Sequence, residues 1–122
     1  MNRLALAASV LGFAAVALGA FGAHALDGRL SGEATGWWET ATLYALVHAA
    51  AALALGFGAS APGARRAGWA FLFGTLVFAG SLYAMALGAP RWFGAITPIG
   101  GLGFLAGWAL CAAAAFQNRA AN

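Results

Sequence analysis

Charged residues are scarce in this chain. They make up only 7% of its 122 residues, whereas 63% are hydrophobic. A soluble domain averages about 25% charged residues, and a chain this poor in charge cannot cover a water-facing surface. The composition therefore excludes an ordinary soluble domain and predicts an integral membrane protein in contact with the lipid bilayer.

Several chemical features are also missing. All six basic residues are arginines, and they form no cluster of the kind that follows nucleic-acid phosphates, so no nucleic-acid partner is expected. The single cysteine, Cys111, cannot form an internal disulfide, and no Cys/His spacing suggests a metal site. There are no paired carboxylates within a span, and "GLGFLAG" (101–107) follows no strand. We therefore expect neither an enzyme nor a bound cofactor or metal.

The charges divide the chain into four apolar runs, at about 4–26, 38–57, 67–87 and 96–116. Each run is about 20 residues long, enough to cross a bilayer as a helix. None alternates apolar and polar residues with period two, which excludes a membrane β-barrel. Short connections make neighbouring helices antiparallel. The sequence thus predicts one all-α membrane domain over 1–122, an antiparallel four-helix bundle.

Turn residues refine the helix ends. Ser31 is a good N-cap, so the second helix is expected to start near 32 and to rise above the membrane before Trp37 and Trp38. Pro62 and Gly63 are expected to break the second connection. Thr97 followed by Pro98 predicts an N-cap and first residue for the fourth helix.

Arginine placement predicts the orientation. Four arginines (Arg3, Arg65, Arg66 and Arg119) fall on one side, and two (Arg29 and Arg91) fall on the other. By the positive-inside rule both termini are cytoplasmic. In a competing interpretation, Ala23-His24-Ala25 ends a cleaved signal peptide. The first apolar run exceeds the usual h-region of about 7–15 residues, which favours a retained helix.

Glycines are expected to supply the packing surfaces. Gly12 and Gly19 lie on one face of the first helix with Gly22 nearby, and Gly100, Gly103 and Gly107 line the fourth. Small residues allow close helix approach in lipid, where association depends on van der Waals contact. We favour packing within one chain over dimerisation through these glycines.

The few polar side chains gather in the half of the bundle that lies towards the outer face. The candidate polar cluster comprises His24, Glu39, Tyr44, His48, Ser81, Tyr83 and Thr97. His48 is the most deeply placed member of this cluster.

His48 lies about 15 Å below the interfacial tryptophans, so its side chain should face the bundle interior and bond to a partner there. We favour a neutral, structural imidazole bonded to Ser81, Tyr44 or a backbone carbonyl; a proton-relay or ligand-binding role and metal or haem ligation are the alternatives. His24 should lie about 10 Å from His48 along the membrane normal, too far to share one metal. Glu39 is interpreted as a solvated carboxylate, or as a partner of His24 or Arg91.

Four blocks together resemble a known family: "GAFGAHAL" (19–26), "TATLYALVHAAAAL" (40–53), "FAGSLYAMAL" (78–87) and "ITPIGGLGFLAGW" (96–108). They are similar to the domain of unknown function 423 family of small bacterial inner-membrane proteins, related to transmembrane protein 256. The resemblance implies a multi-pass protein of the bacterial inner membrane and implies no activity.

Two functions stay open at this point. The first is a structural or accessory component of the membrane or of a larger membrane complex. The second is a small carrier or binding protein for a lipid, quinone or proton that uses the polar cluster.

Overall fold

The computed structural model describes residues 1–120, and four long helices account for most of this range. They are α1 (Arg3–His24), α2 (Gly32–Gly58), α3 (Pro62–Ala86) and α4 (Thr97–Ala120), with a 3-10 turn at Arg91–Ala95 before α4. No strand occurs within residues 1–120. All four helices are long and apolar enough to cross a membrane. The all-α prediction is confirmed, with four helices in the expected order.

The helix starts follow local chemistry. The Ser31 hydroxyl accepts a hydrogen bond of 3.1 Å from the Ala34 amide, which confirms the predicted N-cap of α2. Two other predictions at helix ends are wrong. Pro62 is the first residue of α3 and not part of the connection, because its fixed φ suits a first helical turn. Thr97 is already helical, because the 3-10 turn leads directly into α4.

α2 and α3 form the central pair of the bundle. α1 packs along α2 and also touches α3, for example at the arginine-bearing end, where Leu4 lies against Gly68. α4 packs along α3 and meets α2 through aromatic side chains. α1 and α4 therefore flank the central pair and turn much of their apolar surface outward, as the exposed Phe13 and Phe116 show.

Glycines set how closely the helices approach. A Cβ added to Gly56 would lie 2.9 Å from the backbone nitrogen of Ala5, and one added to Gly103 would lie 3.1 Å from the Cα of Gly74. Gly107 faces the Phe71 ring in the same way. The glycines of α4 thus pack against α3 of the same chain.

The bundle separates its charges between two ends. Arg91 forms an ion pair of 2.9 Å with Glu33, which joins the 3-10 turn to the start of α2. At the opposite end, Ala114 of α4 lies beside Gly63 of α3, near the arginines that begin α3 and end α4. The four arginines and the two arginines therefore lie at opposite ends of the molecule.

We expect both termini to be cytoplasmic. In a Cys111→Ala background, a cysteine at the exposed Ser60 should resist a membrane-impermeant thiol reagent in intact cells, whereas one at the exposed Ala95 should react. Cell lysis should then make Ser60→Cys reactive, which serves as the control. Labelling of Ser60→Cys but not of Ala95→Cys in intact cells would show that the orientation is the opposite of the predicted one.

Candidate functional site

His48 lies in the middle of α2 and is 95% buried, with a relative exposure of 5%. Its Nδ1 is 2.8 Å from the carbonyl oxygen of Tyr44, one turn earlier. Its Nε2 is 3.1 Å from the indole Nε1 of Trp108 in α4. Because an indole N–H can only donate, Nε2 must accept, and the ring proton is on Nδ1, which donates to the carbonyl. The imidazole is therefore neutral and has both nitrogens satisfied.

Aromatic rings enclose this imidazole; we call His48, Phe71, Phe104 and Trp108 the aromatic cluster. The Phe104 ring stacks on His48 at a centroid distance of 3.7 Å and an interplanar angle of 13°. Phe71 and Trp108 meet it edge-on at 5.2 and 6.0 Å. The cluster joins α2, α3 and α4, so His48 contributes a polar bond to the place where three helices meet.

The sequence did not identify Trp108 as a partner of His48. Tryptophans in membrane helices are often interfacial anchors, and Trp108 is interpreted in that way when it is considered alone. The residue spacing nevertheless contained a signal. Trp38 and Thr97 lie near the same end of the bundle; His48 comes ten residues after Trp38, and Trp108 comes eleven residues after Thr97. Since α2 and α4 run in the same direction, these counts give the two side chains similar depths.

Ser81 bonds to Thr97 and not to His48. The two hydroxyl oxygens are 2.6 Å apart, and the Ser81 hydroxyl also donates to the carbonyl of Phe78 at 2.9 Å. This pair joins the C-terminal part of α3 to the first turn of α4. Thr97 was expected to cap α4, but its side chain forms this contact between helices.

Tyr83 belongs to a third, separate group. Its hydroxyl is 2.7 Å from the Thr42 hydroxyl, and its ring packs edge-on against Trp38 at 4.5 Å. The Trp38 indole donates to the carbonyl of Leu18 at 2.9 Å, over the space left by Gly22. The group therefore joins α1, α2 and α3.

The remaining candidates lie towards the surface. His24 and Glu39 are exposed, and neither forms an ion pair within residues 1–120. Arg91 bonds to Glu33, so the predicted alternative that pairs it with Glu39 is wrong. Tyr44 is partly exposed, and its ring stacks near His48 at 5.9 Å. The seven predicted residues thus form several small groups and not one polar cluster.

Within the described residues, no group of three or more metal-ligating side chains occurs. A cavity of about 450 Å³ opens between α1 and α2 towards the end that carries Asp27 and Glu39, and Thr42, Leu43 and Leu46 also line it. Of the predicted cluster, only Glu39 lines this cavity. Every buried side-chain nitrogen or oxygen in residues 1–120 has a hydrogen-bond partner.

Comparison with known proteins places the chain in a family. Residues 18–101 match the family model described as "Protein of unknown function (DUF423)". The chain is 47% identical over 96 residues to a UPF0382 membrane protein of Staphylococcus epidermidis, covering 77% of this chain and 79% of the relative. It is 42% identical over 106 residues to the UPF0382 inner membrane protein YgdD of Escherichia coli K12, covering 84% and 81%.

A UPF0382 membrane protein of Staphylococcus saprophyticus is 43% identical over 105 residues, with coverage of 84% and 88%. No solved structure matches the chain. The family match and these relatives carry no description of an activity. On the length and identity of these matches, the chain belongs to the DUF423 family of membrane proteins of unknown function.

Proposed function

We propose that this protein is a structural or accessory component of the bacterial inner membrane that packs against other membrane proteins and is not an enzyme. The observation that carries the proposal is that the buried polar side chains already bond to one another or to the backbone. His48, the most deeply placed polar side chain, has both ring nitrogens bonded within the protein. A substrate or relay site needs polar groups that are free to meet a ligand, and every buried side-chain polar atom among residues 1–120 is already paired.

The surface of α4 that faces away from α3 supports the same proposal. α4 packs mainly against α3, and its far side presents Ile99, Leu102 and Leu105 in an exposed row. Gly101, in the same stretch, has open space around its Cβ position. A small residue among large apolar ones lets a second helix approach closely in lipid. The names of the relatives support the inner membrane as the location.

In-membrane photo-crosslinking tests this function. A photoreactive amino acid at Leu105 of the full chain should give an adduct with one integral membrane protein at a fixed ratio. The same group at Val16, exposed on the far side of α1, is the matched control and should give chiefly lipid adducts. Lipid adducts alone at Leu105, Leu102 and Ile99 would contradict a protein partner on this face.

The carrier function remains a second candidate, and the α1–α2 cavity is the observation that favours it. Its lining combines the carboxylates of Asp27 and Glu39 with apolar side chains, a combination suited to an amphipathic molecule. A small molecule that co-purifies with the native chain and is lost in Leu43→Trp would favour this function over the accessory one.

A further inference from the structure

A groove lies between α1 and α3 beyond the point where Leu4 contacts Gly68. Its first part has a volume of about 460 Å³, with Val10 and Leu11 on one side and Trp69, Phe73 and Leu76 on the other. A second part of about 240 Å³ continues towards Leu18 and Tyr83 and shares Leu11 and Leu76 with the first. We call the two parts together the α1–α3 groove. It follows about eleven residues of α1, or about 16 Å, comparable to half of a hydrocarbon core of about 30 Å.

The edges of the α1–α3 groove are large apolar side chains that face outward. Val10, Trp69, Phe73 and Leu76 are each about half exposed or more. In the first part of the groove, these large residues keep another helix from the close backbone approach that stabilises helix pairs in lipid. A thin, flexible hydrocarbon chain needs no such approach and can follow the floor of the groove.

Arginines lie at one end of this groove. Arg3 comes four residues before Ala7, and Arg66 comes three residues before Trp69, so each shares a helix side with a lining residue. Both side chains are exposed. Side chains lean towards the N-terminus of their helix, which places these guanidinium groups beyond the groove, at headgroup level.

No carboxylate side chain balances the arginines at this end. The three acidic residues (Asp27, Glu33 and Glu39) all fall between 27 and 39, at the other end of the bundle. The one ion pair within residues 1–120 joins Arg91 to Glu33 there. α1 and α3 also both begin at the arginine end, so their positive dipole ends add to its attraction for an anion.

We propose that the α1–α3 groove binds an anionic phospholipid, with one acyl chain along the groove and the phosphate between Arg3 and Arg66. Along α1 and α3 the arginines come directly before the residues that line the apolar groove, and an anionic phospholipid has the same order of charged headgroup and apolar chain. The proposal goes beyond an accessory role and does not depend on a protein partner.

Native mass spectrometry of the full chain in a mild detergent tests the proposal. Phosphatidylglycerol and phosphatidylcholine with identical acyl chains are titrated separately, and the expected result is tighter binding of phosphatidylglycerol. Arg3→Gln and Arg66→Gln should each weaken that binding about fivefold, from the typical attraction of one arginine near an anionic surface. Arg119→Gln, at the end of α4 away from the groove, is the charge-matched control and should leave the preference unchanged.

A second pair of variants tests the groove itself. Ala7→Trp fills the groove wall and should weaken binding of both lipids, whereas Ala17→Trp, exposed on α1 outside the groove, should not. Thermal unfolding of each variant establishes that it is folded. Equal binding of the two lipids, equal losses in Arg66→Gln and Arg119→Gln, or unchanged binding in Ala7→Trp would overturn the proposal. If inorganic phosphate alone displaced the lipid, the arginines would bind free anions. If a protein were crosslinked at Phe73, a partner helix would occupy the groove. Either result would also overturn the proposal.

Discussion

Gly100→Ala should destabilise the protein by about 3 kcal/mol, the upper part of the usual range for overpacking. A Cβ at this position would lie 2.7 Å from the Cα of Phe78 in α3. The obstacle is backbone, so no rotation of a side chain can relieve it, and α4 must move away from α3. That movement also loosens the contact between Gly74 and Gly103. The free energy of unfolding in mixed detergent micelles measures the effect.

The neighbouring glycine supplies the control. Gly101 has nothing within 4 Å of its Cβ position, so Gly101→Ala should leave the stability unchanged or raise it slightly through better helix propensity. The two variants make the same chemical change one residue apart. Equal stabilities would show that α3 and α4 do not approach as closely as Gly100 and Phe78 indicate.

The sequence was sufficient to predict the number, order and approximate limits of the helices. That information is local: apolar run length, a capping serine and the cost of leaving backbone groups unpaired in lipid fix each helix by itself. Ser31 illustrates this, since its cap involves only Ala34, three residues away. The packing role of the glycines at the α3–α4 contact could also be predicted, because small residues in membrane helices commonly allow close approach of a neighbouring helix.

Side-chain pairing was harder to predict because it depends on the rotation of each helix about its axis. Ser81 was a reasonable partner for His48 by depth, but it bonds to Thr97, and His48 bonds to Trp108. A depth count gives position along the membrane normal and says little about which face of a helix meets its neighbour. One apolar sequence can bury several alternative faces, so the amphipathic pattern that orients helices in soluble proteins is weak here.

His48→Ala should cost about 3 kcal/mol of stability. One lost interhelical bond and a small void would by themselves cost about 1 kcal/mol. The structure adds the ring stacked on Phe104 and the edge contacts with Phe71, so truncation opens a larger cavity where three helices meet. It also leaves the Trp108 indole N–H without its acceptor. The measurement is again the unfolding free energy in mixed micelles.

Trp108→Phe separates the hydrogen bond from the packing. Phenylalanine keeps an aromatic ring beside Phe71 and removes the N–H, so this variant should lose about 0.6 kcal/mol for the bond, the average between membrane helices, and a smaller amount for the missing part of the indole ring. In the double variant with His48→Ala, the two costs should fall short of additivity by a similar amount, because the shared bond is counted once. Full additivity would mean that the two side chains do not bond. A His48→Ala protein as stable as the original would show that the aromatic cluster does not hold α2, α3 and α4 together, and it would reopen a functional role for this histidine.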